Sequence, residues 1–282
     1  MSGRRNLMIA QASINPLSIP LTLTAETASS TVKIRAVQTP TVSGLQCRRG
    51  TSGEWLPYTI DTTITLSAVG DSVQFQNTEN TLSASNTTYA YFAMTGKIAA
   101  SGNVMSMLNW RMDCPNYGLL NLFSNCASLA APPELPATSV GNYGYYNMFG
   151  KSDITTAPKL PATTLGTYAY SYMFTGCASL VTPPDELPEA TAMSCYAWMF
   201  AGCSSLIRAP KIKATTLATQ CMRYMFSGCT SLGEIDVDFT QWGYSQAWVT
   251  SVPEGGTFYK PAALPETFGA DNIPTGWTVI NK

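Results

Sequence analysis

The sequence predicts a mixed α/β chain in which an N-terminal antiparallel β-sandwich is followed by a repeat solenoid with a β-rich C-terminal cap. Two observations carry this. Residues 16–100 hold short alternating apolar and polar runs, the pattern of half-buried strands. From about residue 101 a phrase recurs, as NLFSNCASL, YMFTGCASL, WMFAGCSSL and YMFSGCTSL, with a shortened copy NMFGKSDI after the first. Its phenylalanines, Phe123, Phe149, Phe174, Phe200 and Phe226, are spaced 26, 25, 26 and 26 residues apart. A fixed period of that length marks stacked coils, each unable to bury its apolar face alone.

In chain order, residues 1–15 read as an anchoring arm, because Arg4 and Arg5 stand beside Leu7, Met8 and Ile9 on a segment too short to fold by itself. This stretch is too short and too interrupted for a secretory signal or a membrane span. Residues 18–26, 31–37, 62–68, 72–76 and 89–95 read as strands of an Ig-like sandwich spanning 16–100. Residues 101–239 form about five coils of 25–26 residues, with SGNVMSMLNW as an atypical first coil. Residues 240–282 contain Trp242, Trp248, Phe258 and Trp277, and read as a cap closing the last coil.

Within a coil, Val140/Gly144/Met148, Leu165/Ala169/Met173, Thr191/Cys195/Met199 and Leu217/Cys221/Met225 recur at four-residue spacing. Such spacing predicts a short helix with one inward stripe. Gly176, Gly202 and Gly228, with Asn125 in the first copy, fall where a helix would end in a left-handed residue. A strand with inward Leu129, Ile154, Leu180, Leu206 and Leu232 follows, ended by Pro133, Pro158, Pro184 and Pro210.

On these residues the chain resembles the BspA-like branch of the leucine-rich repeats, which occurs in Bacteroides-group bacteria and their crAss-like bacteriophages. YMFSGCTSL with PKLPATTL carries the resemblance, over roughly residues 100–280. It implies surface binding or adhesion, and no catalytic residue or ligand is transferable from it. With the missing export signal, it implies a virion protein assembled in the host cytoplasm, a head fibre or capsid decoration protein joined to other virion proteins through its N-terminus. Tail fibre or receptor-binding protein and secreted bacterial adhesin are the alternatives, and a homo-oligomer, as a trimer, follows by analogy with fibres.

Composition bounds the chemistry. Charged residues are 12% of the chain and nearly cancel, so neither nucleic acid nor an anionic membrane is an expected partner. The chain has no His, which removes the commonest general base and metal ligand, and no fingerprint-spaced glycine loop. No catalytic residue, cofactor or metal is expected. Cys126, Cys177, Cys203 and Cys229 share one repeat position and are expected as reduced, buried ladders. Glu134, Lys159, Asp185 and Lys211 alternate in sign after the turn prolines. Two aromatic columns remain: Tyr145, Tyr170 and Tyr196, and Tyr172, Trp198 and Tyr224. Coil-to-coil stacking accounts for either. If exposed, Tyr172, Trp198 and Tyr224 form an uncharged strip suited to host polysaccharide or a host surface protein.

Overall fold

A computed structural model describes residues 18–38 and 42–282. The repeat region is a solenoid, but the helical half of the expectation is overturned. Among the described residues there is no α-helix; a short 3-10 turn at Val104–Leu108 is capped by Asn103. The mixed α/β class is therefore corrected to a nearly all-β chain, and the helix-and-strand coil of the leucine-rich repeats falls with it.

The segments expected as helices are ladders of four-residue turns. In one coil Tyr168, Tyr172 and Gly176 are left-handed, with φ of 57°, 60° and 68°. The equivalent trios are Tyr143, Asn147 and Lys151, then Ser194, Trp198 and Gly202, then Gln220, Tyr224 and Gly228. A left-handed residue every fourth position is incompatible with a right-handed helix. It nevertheless returns every fourth side chain to the same side, so Leu165, Ala169 and Met173 all point inward and are buried. The four-residue spacing was a true signal of a turn period and a misleading one of a helix.

Hydrogen bonding explains why the turns win. Ala169, Ser171, Met173 and Thr175 donate their N–H to carbonyls three residues back in the same coil. The alternate residues Tyr168, Tyr170, Tyr172, Phe174 and Gly176 donate instead to Met193, Cys195, Ala197, Met199 and Ala201 of the next coil. All these bonds are between 2.7 and 3.2 Å. Every second donor is thus satisfied only by a neighbouring coil, so one coil alone would strand half of its turn amides.

The rest of each coil adds short parallel strands. Numbering all strands along the chain, β9 (Asp113–Cys114), β11 (Ser139–Val140) and β12 (Thr164–Leu165) form one stack, and β13 (Glu186–Leu187) and β14 (Lys211–Ile212) another. Leu129, Ile154, Leu180, Leu206 and Leu232 point inward as expected and are fully buried. The parallel stack continues through β15 (Glu234–Asp236) into β16 (Thr257–Lys260) and β17 (Thr278–Asn281), the last two inside the segment read as a cap. Buried Lys260 there donates to the Leu264 carbonyl at 2.7 Å.

Ahead of the solenoid, β1 (Leu21–Ala25), β3 (Leu45–Arg49), β4 (Leu56–Pro57), β6 (Ser72–Asn77) and β8 (Ile98–Ser101) form one sheet in the order β8-β1-β6-β3-β4. A second holds β5 (Ile64–Leu66), β2 (Ser30–Val37) and β7 (Tyr89–Thr95) in the order β5-β2-β7. The sheets are antiparallel and pack through Phe75 and Phe92, whose rings are 5.2 Å apart. Strands β3, β4 and β8 have no counterpart among the strands expected from the sequence.

First coil and sandwich share a sheet edge: β10 (Leu129–Ala131) pairs in parallel with β8. They also share a core. Phe92 stacks on Phe123 at 5.1 Å, and the stack runs on through Phe149, Phe174, Phe200 and Phe226 with ring spacings of 5.4 to 5.7 Å. Trp248 ends this spine against Phe226 at 5.8 Å.

Candidate functional site

The turn ladder that directs Phe and Met inward directs most of its left-handed residues outward, buried Ser194 being an exception. Tyr172, Trp198 and Tyr224 are those residues in three consecutive coils and are all partly exposed. Tyr172 stacks on Trp198 at 5.6 Å and Trp198 on Tyr224 at 4.2 Å, nearly parallel in both cases. Arg223 lies over the Tyr224 ring at 5.2 Å. Packing and exposure therefore coexist in this strip, where the sequence had posed them as alternatives.

The other column behaves differently. Tyr145, Tyr170 and Tyr196 are buried in the solenoid interior and stack at 5.8 and 6.1 Å. Burial pushes their hydroxyls well above the usual phenol range. Tyr196 donates to the Pro188 carbonyl and Tyr145 contacts the Met105 sulfur, whereas the Tyr170 hydroxyl has no partner. These three belong to the core.

A second outer row escaped the sequence reading. Tyr117, Tyr143 and Tyr168, each six residues before its coil's Phe, are left-handed and stack at 5.2 and 4.8 Å. Tyr146 bridges the rows, 5.5 Å from Tyr143 and 5.3 Å from Tyr172, and burial raises its hydroxyl to about 12. Their constant offset from the Phe was legible, but an assumed helix sent those positions elsewhere.

Backbone energetics single these rings out. A left-handed conformation costs an L-residue about 1–2 kcal/mol, and bulky side chains adopt it rarely. Gly and Asn carry it at little cost, and the chain uses both, at Gly176, Gly202 and Gly228 and at Asn121, Asn125 and Asn147. In the two outer rows six such positions, Tyr117, Tyr143, Tyr168, Tyr172, Trp198 and Tyr224, hold an aromatic ring instead. Each stacked pair returns about 0.5–1.5 kcal/mol, which offsets the backbone cost without requiring the choice.

All eight cysteines are free, and seven are buried. Cys126, Cys177, Cys203 and Cys229 direct their thiols at the carbonyls of Phe92, Phe149, Phe174 and Phe200 at 2.9 to 3.1 Å. Ser152 takes the same place in the short copy and contacts Cys177. Burial raises Cys177 to about 11, and Cys126, Cys221 and Cys229 to about 12. A thiol held protonated is a poor nucleophile or metal ligand. In the charge column, exposed Asp185 pairs with Arg208, and Lys211 pairs with Asp238 at a partly exposed site.

Among the described residues no group of three or more Cys, Asp or Glu is placed to hold a metal ion, and no helix is long and apolar enough to cross a membrane. Arg4, Arg5, Leu7, Met8 and Ile9 lie outside the described residues. Comparison with protein-family models, with curated proteins and with solved structures gives no match.

Proposed function

We propose that this chain is a non-enzymatic adhesion and structural protein of a bacteriophage particle, a head fibre or capsid decoration protein that presents the outer face of its turn ladder to host polysaccharide. The observation that carries the adhesion reading is the strip Tyr172, Trp198 and Tyr224, kept aromatic at left-handed positions and partly exposed. Flat, uncharged rings at inter-coil spacing suit the apolar faces of sugar rings. A stack bonded coil to coil holds them without further ordering on binding, which favours affinity.

The phage setting rests on the resemblance of YMFSGCTSL and PKLPATTL to BspA-like repeats. Attachment by residues 1–15 to other virion proteins and assembly in the host cytoplasm belong to the same proposal. Protein mass spectrometry of purified phage particles tests it. The chain should be found with an unprocessed N-terminus in particles and head fractions, and deletion of residues 1–15 should leave a folded protein that no longer incorporates. Recovery of an N-terminally trimmed chain from bacterial culture medium, absent from particles, would overturn the virion assignment in favour of a secreted adhesin.

A further inference from the structure

Where the sandwich meets the first coils, a cleft of about 410 Å³ opens on the same face as the aromatic strip. One wall is Tyr89 and Tyr91 on β7, rings 6.1 Å apart and tilted by 52°. The other is an amide chain from the turn ladder. Asn147 donates one Nδ2 hydrogen to Asn121 Oδ1 at 2.8 Å and the other to Ser124 Oγ at 2.9 Å.

We propose that this cleft binds one end of a neutral saccharide chain whose remaining units lie along Tyr172, Trp198 and Tyr224. The inference rests on the reading of that strip as a glycan surface, and adds a site to it. Its first support is register. Asn121 and Asn147 stand two residues before Phe123 and Phe149, as Tyr172, Trp198 and Tyr224 stand before theirs, and all five are left-handed. The same turn position thus changes from amide beside the cleft to ring beyond it, in coils about 4.8 Å apart.

Lining chemistry selects the ligand. Among the described residues no charged side chain lines the cleft, so a phosphate, uronate or cation finds no counter-charge from them. With both Asn147 Nδ2 hydrogens spent, its Oδ1 remains as acceptor, while the Asn121 Nδ2 group and the Ser124 hydroxyl proton remain as donors. Uncommitted donors and acceptors beside tilted rings match a polyol, whose hydroxyls do both and whose C–H faces pack on tyrosine. An added peptide strand is disfavoured, because the β7 edge is already engaged: Phe92 N–H donates to the Leu122 carbonyl and Met94 C=O accepts from Ser128.

The test is calorimetric titration of the full chain with neutral glucan, mannan and N-acetylglucosamine oligosaccharides of two to six units, and with an oligouronate series. Asn147→Gly keeps the left-handed backbone while removing the amide, and Tyr91→Ala removes one ring. Circular dichroism confirms that both fold. Expected is an affinity for a neutral series that rises with chain length, and a loss of at least tenfold for the longest member in both variants. Full affinity in folded Asn147→Gly and Tyr91→Ala, with loss only in Trp198→Gly, would overturn the cleft and leave the strip. Preference for the uronates would overturn the neutral class. A chain that binds no saccharide of either series would overturn the strip as a glycan surface together with the cleft.

Discussion

One phenylalanine per coil sits on the axis, and its neighbours decide what a substitution costs. Phe174 is fully buried between Phe149 at 5.7 Å and Phe200 at 5.4 Å. Phe174→Ala should therefore cost about 3–5 kcal/mol in a denaturant titration. Exposed Lys159→Ala should change stability by less than about 0.5 kcal/mol. The thiols give a pH dependence. An unfolded thiol has an ordinary value of 9.0, whereas Cys177 is raised to about 11 and Cys229 to about 12, in each case mainly by burial. Between these limits the folded chain binds more protons than the unfolded one, so stability falls as pH rises. The contribution is intact below about pH 9 and is lost on going through pH 11 to 12, with the buried tyrosines acting in the same sense. Melting temperatures measured from pH 7 to 11 should turn downward above about 9. A rise over that interval would contradict the burial of the thiols.

The turn ladder, at the next scale, makes a prediction that no helix would. Gly202 has φ of 75°, and a Cβ built there would meet nothing closer than 3.6 Å. Gly202→Ala should still cost about 1–2 kcal/mol through backbone conformation alone. At Trp198, with φ of 60°, Gly should be more stable than Ala by about 1 kcal/mol, the reverse of their order in a helix. Thermal denaturation of the paired variants checks both. These positions also show how far the sequence could be read. The period, the inward Phe and Leu, the buried cysteines and the left-handed glycines were legible because each follows from apolar spacing or glycine's freedom. The helix was wrong because four-residue spacing is shared by helix and turn ladder, and the distinguishing feature, Tyr and Trp at left-handed positions, runs against their usual preference. The cleft was illegible because it joins β7 to coils some 30 to 55 residues later.

The sandwich and solenoid are joined by the β8–β10 pairing and by a phenylalanine stack that crosses from Phe92 to Phe123. Residues 1–100 or 101–282 produced alone would each expose that junction, so each fragment should aggregate where the full chain stays soluble, as size-exclusion chromatography would report. This continuity also fixes the outer strip relative to the rest of the molecule, and the functional account depends on that strip. The most direct measurement is binding of the purified full chain to host surface polysaccharide, comparing the unaltered protein with Trp198→Gly, the substitution least disturbing to the backbone. A recognition strip predicts at least a tenfold loss of binding in a variant that retains its circular dichroism spectrum. Undiminished binding by folded Trp198→Gly would make the strip a packing element and contradict the account.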